Sequence, residues 1–202
     1  MDRWRAGGAF RLPELRAFAP DGSFYLTDSG GWKARDGRVL VVRPGSGYSV
    51  GLDERLDRAS ADFPNGLAVS PDGRELWVLG STPGALVAFD IRPDGSPGPR
   101  RLVADLAGNV PDGLAFATDG SVLIACYRPD ILYRWRSDLG LQVVAHDPEG
   151  TAIAAPTNVV FAGPQRDTSL MPNIGRWHVT RLRVPGLTGV PLSYPTRAQI
   201  GD

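Results

Sequence analysis

One motif returns four times along this chain. The segments PELRAFAPDGSFYLTD from Pro13, PNGLAVSPDGRELWVL from Pro64, PDGLAFATDGSVLIAC from Pro111 and PTNVVFAGPQRDTSLM from Pro156 align, with leading prolines 51, 47 and 45 residues apart. A period of this size marks one supersecondary unit copied along the chain, each copy burying its apolar faces against its neighbours. Each copy reads as a short apolar strand, a tight turn and a second strand with alternating β-branched or aromatic residues. The turns are Asp21-Gly22, Asp72-Gly73 and Asp119-Gly120, with Gly163-Pro164 in the fourth copy. A second hairpin follows, as in RVLVVRPGSGYSV, ALVAFDIRPDGSPGPRRLVA and ILYRWRSDLGLQVVA, with turns at Pro44-Gly45, Asp94-Gly95 and Asp138-Leu139-Gly140. Four strands in such a unit is the size of a β-propeller blade. The 25 glycines and 18 prolines among 202 residues suit many short elements joined by tight turns. No segment carries a 3.6-residue apolar period, so helix content should be minimal. The expected fold is all-β: a single β-propeller domain over 1–202, with four-stranded blades near 13–60, 64–108, 111–152 and 156–195. A β-sandwich, the rival all-β solution, needs no internal repeat.

Composition removes several function classes. Lys plus Arg (22) balances Asp plus Glu (22), and the basic residues are scattered, which argues against a nucleic-acid or polybasic membrane surface. Cys126 is the only cysteine, and His146 and His178 the only histidines, so neither a disulfide framework nor a Cys- or His-rich metal cluster is available. The N-terminal MDRWRAGGAF has no apolar core of a signal peptide, and no apolar run reaches membrane-spanning length. The expected setting is soluble and cytoplasmic. There is no P-loop, no dinucleotide fingerprint and no Gly-x-Ser-x-Gly elbow.

The Pro-Asn-Gly and Pro-Asp-Gly strand entrances, each followed by a Leu-Ala pair, resemble the SMP-30/gluconolactonase/LRE-like family. So do VPDGLAFATDGSVLIACYRPDILYRW and APTNVVFAGPQRDTSLMPNIGRWHVTRL, and the resemblance covers essentially the whole chain. It implies a six-bladed architecture with about four blades present here, one divalent metal in the central channel, and lactone hydrolysis. The metal implied is Ca²⁺ first, with Zn²⁺, Mn²⁺ or Mg²⁺ as alternatives. Family members are longer, and this chain starts where their second blade would be ending. Their N-terminal Glu-Gly-Pro motif, whose glutamate is a metal ligand, precedes that point, so the resemblance implies an N-terminally truncated member.

In a propeller the innermost strands all start at one end of the channel, so residues far apart in sequence converge there. Those positions hold Glu14, Asn65, Asp112 and the Thr157-Asn158 pair. Carboxylate and amide oxygens gathered from separate blades suit a hard cation. The resemblance places Asn65 and Asp112 on the family's metal ligands and makes Asp112 the general base as well. A competing reading makes Asn-Gly and Asp-Gly mere turn dipeptides. Against it, each blade has its own turn dipeptide a few residues later. Relatives carry Asn, a substrate contact, where Glu14 stands. Glu14 is then either a solvated residue at the channel mouth or a replacement for the absent carboxylate ligand. Asn158 reads equally as pocket lining or as a strand-start hydrogen-bonding residue. Tyr127 and Arg128 close the second strand of the third blade. Arg128 can fork onto a substrate oxygen or serve as a surface arginine before a Pro-Asp turn. Cys126 reads as a small core residue, His178 as structural and His146 as part of a loop.

The function expected is therefore a metal-dependent hydrolase of a carboxylic ester that opens a small-molecule lactone, a sugar lactone or a related one, with metal-activated water. The alternative is a non-catalytic propeller that binds a small ligand or a protein. Open blade flanks would favour self-association. No nucleic-acid or membrane partner is expected.

Overall fold

The computed structural model describes residues 12–43, 47–53, 62–194 and 196. The turn expected at Pro44-Gly45 lies outside them. The described residues form strands and turns, with no helix among them. The first sheet comprises Pro13–Phe18 (β1), Phe24–Asp28 (β2), Arg38–Arg43 (β3) and Gly47–Asp53 (β4). Pro64–Val69 (β5), Glu75–Ser81 (β6), Gly84–Ile91 (β7) and Pro97–Asp105 (β8) form the second. The third has Val110–Phe116 (β9), Val122–Arg128 (β10), Ile131–Arg136 (β11) and Gly140–His146 (β12). Among the described residues the fourth has three strands, Val160–Ala162 (β13), Thr168–Asn173 (β14) and His178–Leu182 (β15), and Pro156 bridges Asn173 ahead of β13. All four are antiparallel meanders. Together they are four blades in a propeller arrangement.

The tight turns repeat one local device. Gly22, Gly73 and Gly120 have φ of 85°, 74° and 80°, the left-handed region that glycine enters freely. The preceding aspartates cap these turns: Asp21, Asp72 and Asp119 accept from the backbone N–H two residues on, at 2.9, 3.1 and 3.0 Å.

Period-two alternation builds the interior. Leu76 and Val78 of β6 point toward the first blade and pack with Tyr25, Val39, Val41, Val87 and Phe89. Trp77 and Leu79 point the other way and meet Phe116, Val122, Ile124 and Cys126. On β10, Leu123 and Ala125 face the fourth blade with Leu132, Val159 and Met171. Four blades thus enclose three apolar layers, one between each consecutive pair. This explains why LWVL and VLIAC are apolar throughout rather than alternating: both faces of those strands are buried.

The innermost strands stand side by side, β1 against β5, β5 against β9 and β9 against β13. Hydroxyls stitch the first three together. Ser29 Oγ donates to the carbonyl of Pro64 (2.6 Å), and Ser81 Oγ to that of Pro111 (2.6 Å). After β15 the chain returns across the third blade, with the Thr118 N–H donating to Thr188 O (2.8 Å) and Val190 N–H to Phe116 O (3.2 Å). Tyr194 reaches the ring of Phe18 on the first blade, 6.3 Å between centroids. His146, expected in a loop, ends β12 paired with Ile131, the strand running one residue past Ala145.

Candidate functional site

The starts of β1, β5 and β9 converge on a cavity of about 620 Å³. Glu14, Asn65, Asp112, Tyr127, Arg128 and Asn158 all line it. Six residues from four blades, chosen on strand position, therefore share one wall.

Local structure places each of them. Asn65 sits second in strand β5 and Asp112 third in β9 rather than in turns, and their following glycines have a packing role. A Cβ on Gly66 would overlap the backbone oxygen of Asp112, and one on Gly113 would overlap Asn158 Oδ1. The Pro-x-Gly entrances are thus close-approach sites between neighbouring inner strands. Asn65 is 6% exposed; its Nδ2 leans toward Ser81 Oγ at 3.4 Å, while Oδ1 is buried without a hydrogen-bond partner. Burial pushes the Asp112 carboxyl up to about 7, the nearby charge of Glu14 adds to the rise, and the Asn65 amide partly opposes it. Glu14 lies open to solvent at the mouth, yet the surrounding protein still raises its carboxyl.

Two carboxylates and an amide oxygen make an all-oxygen set matched to a dication. The orphaned Asn65 Oδ1 is what a cation would satisfy, because an unpartnered buried acceptor is costly. The residues present therefore fit a divalent metal held by Asp112, Asn65 and Glu14. Among the described residues no three His, Cys, Asp or Glu side chains cluster.

Arg128 is already engaged. Its Nη1 donates to Asp130 Oδ1 (3.0 Å) and to its own neighbour's carbonyl at Tyr127 (2.9 Å), and its guanidinium lies 4.7 Å from the Tyr127 ring centre. Asn158 Oδ1 accepts from the Val159 N–H at 2.8 Å, a strand-start bond, while the residue also lines the cavity. Cys126 is fully buried, its thiol pushed up to about 12 mainly by that burial. His178 Nε2 bonds the Ala152 carbonyl at 3.0 Å.

Sequence reasoning missed the rest of the wall: Leu15, Trp32, Phe63, Val110, Pro172 and Ile174. The available signal was strand parity. If an inner strand starts at one channel end, the second strand ends there, and the loop after it overhangs the site. Trp32 and Ile174 lie in two such loops, and Tyr127 and Ile174 hold the position that Ser29 and Ser81 hold in the other blades.

Comparison with solved structures gives the same architecture. A luciferin-regenerating enzyme superposes with a TM-score of 0.72 at 16% identity, over 91% of this chain and 64% of that one. The calcium-binding protein regucalcin from Agrobacterium tumefaciens gives 0.73 at 16%, over 91% and 64%. A gluconolactonase from Xanthomonas campestris gives 0.70 at 23%, over 89% and 59%. The chain thus spans less than two thirds of each, and at these identities the likeness shows the fold. No curated protein sequence matches the chain significantly. The sequence profile of the SMP-30/Gluconolactonase/LRE-like region, however, matches residues 16–172, most of the chain and all four repeats in part or whole. With the repeats, the blades and the inner-strand entrances in agreement with that match, the chain belongs to the SMP-30/gluconolactonase/LRE-like family.

Proposed function

We propose that this cavity hydrolyses a lactone with the help of a divalent cation, most simply Ca²⁺, held by Asp112, Asn65 and Glu14. The observation that carries the reading is the convergence of a buried carboxylate near neutrality, a second carboxylate and an orphaned amide oxygen at one channel end. Bound there, the cation would supply Lewis acidity to the ester carbonyl and lower the pKa of a nearby water. Asp112 serves as general base. Held at the cavity's polar end, its carboxylate is placed to accept a proton from attacking water. Asn65 is held in place by its burial and by Ser81. Apolar residues Phe63 and Val110 line the cavity beside the reacting groups. Water adds to the carbonyl carbon, the acyl–oxygen bond breaks, and the released ring oxygen takes a proton, giving the hydroxy acid.

The test is turnover of glucono-δ-lactone and of dihydrocoumarin by chelator-treated protein, before and after calcium is restored. Hydrolysis that vanishes with chelator and returns with calcium is expected. Calcium-independent turnover would remove the metal from the mechanism, and binding without turnover would favour a ligand-binding propeller.

A further inference from the structure

The inner strands that begin at the proposed cation site end at a second cavity. The later residues of β1, β5, β9 and β13 enclose about 700 Å³ there, and Leu15 and Asn158 line both cavities. The chain borders this end with its own final segment. After β15 it crosses the third blade, and residues 190–194 run along the cavity to Tyr194, beside Phe18. The walls are largely apolar, with Phe18, Val69, Phe116, Phe161 and Val190 among them.

Two arginines interrupt that lining, Arg16 of β1 and Arg166 of the turn between β13 and β14. Among the described residues no Asp or Glu lines the cavity, and neither arginine has an acidic partner. The carboxylates nearest in sequence are engaged elsewhere: Asp72 accepts from Ser70 Oγ at 2.6 Å, and Asp167 faces Arg183 at 3.4 Å. Arg166 is held to the crossing segment by backbone and side chain together. Its carbonyl accepts from the Gly189 N–H (2.8 Å), and its Nε donates to the Gly189 carbonyl (2.9 Å). Both Nη groups are left without a hydrogen-bond partner among the described residues. Gly189 is fixed in turn, because a Cβ there would overlap the Phe161 side chain. The φ of Arg166 is 52°, a left-handed conformation that the turns of the first three blades give to Gly22, Gly73 and Gly120. An arginine adopts it at a backbone cost that glycine avoids, and such costs persist where the side chain is needed.

A guanidinium beside an apolar wall attracts an anion more strongly than one in bulk water, and its planar fork matches the two oxygens of a carboxylate. The apolar walls gain from an apolar body, and the volume is that of a small-molecule site. We propose that this cavity is a second binding site, for an organic carboxylate with an apolar body. Arg166 and Arg16 receive the carboxylate, and the body lies along Phe18, Phe116 and Phe161.

The test is calorimetry on chelator-treated protein, so that no cation at the other channel end can take up the carboxylate. The probe is 4-phenylbutyrate, compared with 4-phenylbutanamide, which keeps the body without the charge, and with acetate, which keeps the charge without the body. Binding of 4-phenylbutyrate is expected, with the amide and acetate weaker by roughly tenfold or more. Arg16→Gln removes the charge of an exposed residue that bonds no other described side chain, and it should lower the affinity several-fold. Arg166→Lys keeps the charge but loses the fork and should act in the same direction; if that variant fails to fold, Arg16→Gln still decides. Asp112→Asn should not weaken binding. Equal affinity for acid and amide, affinity unmoved by the arginine variants, or no binding of 4-phenylbutyrate overturns the proposal. Binding lost in Asp112→Asn overturns it as well, by putting the ligand at the other channel end. None of these outcomes involves lactone turnover, so a failure here leaves the lactonase reading standing.

Discussion

At the scale of single residues, the site depends as much on what is absent as on what is present. Gly113 lets Asn158 lie against the third inner strand, so Gly113→Ala must push the fourth strand's start away from the cavity. Overpacking of this kind costs about 1–3 kcal/mol, a drop of several degrees in Tm on thermal denaturation. An unchanged melt would mean that the strands separate easily there. Asp112→Asn should leave the melt of the chelated protein no lower, because it replaces a carboxyl whose charged form burial opposes, and should cut lactone turnover by about 10²–10⁴. Glu14→Gln removes one of two negative charges facing the proposed cation, and calcium titration should register a clear loss of affinity. If affinity holds, Glu14 is a solvated mouth residue and nothing more. These candidates were legible because the repeat fixes which residue starts each inner strand. Trp32 and Phe63 were less so: strand parity puts the loop after β2 at the same channel end, but GGW and FPNG carry no repeated motif that marks these two side chains as lining. The engagement of Arg128 was also hidden, since its partner Asp130 follows a proline and only the folded turn brings the two together.

At the scale of elements, the fourth blade's entrance is held by one loop. Asp147 Oδ2 accepts from the N–H groups of Thr151 (2.8 Å), Ala152 (2.6 Å) and Ile153 (3.0 Å), and the Ala152 carbonyl is bonded in turn by His178 and Thr180. That loop leads into Thr157 and Asn158. The backbone N–H donors hold the Asp147 carboxyl well below the usual carboxylate range. A carboxylate with a lowered folded pKa gives stability that is present above its unfolded pKa and is lost as pH falls through the folded one. Asp147→Asn should therefore melt below the parent protein at pH 7, and the gap should narrow as pH drops below about 4. A gap that persists in strong acid would mean that the loss is steric rather than electrostatic. The same Asp-centred logic made the hairpin turns readable, since Asp-Gly names both the capping acceptor and the left-handed residue. The AHDPEG segment was harder because its polar residues mask a strand that continues to His146; edge strands tolerate such polarity where interior ones do not.

At the scale of the whole molecule, the repeat period was enough to reveal the blades, because an apolar strand pair that recurs every 45 to 51 residues has few ways to bury itself other than against its own copies. The same stacking makes the proposed cation site a joint property of the blades: Glu14 comes from the first, Asn65 from the second and Asp112 from the third. A cation gripping all three should stabilise the folded state as a unit, by RT ln(1 + [L]/Kd), about 2.7 kcal/mol at a hundredfold excess over Kd. For a chain of this length that corresponds to roughly 5–10 °C in Tm. The sign of the pH dependence follows from Asp112. Its folded pKa, about 7, is raised, so its contribution to the metal-free protein is favourable at low pH and is lost as pH rises through 7. A dication needs the same carboxylate ionised, so protons and calcium compete for it. Thermal melts of chelated and calcium-loaded protein should thus lie close together near pH 5 and separate by several degrees near pH 8. Curves that coincide at both pH values would mean that the three blades bring these oxygens together without holding a cation.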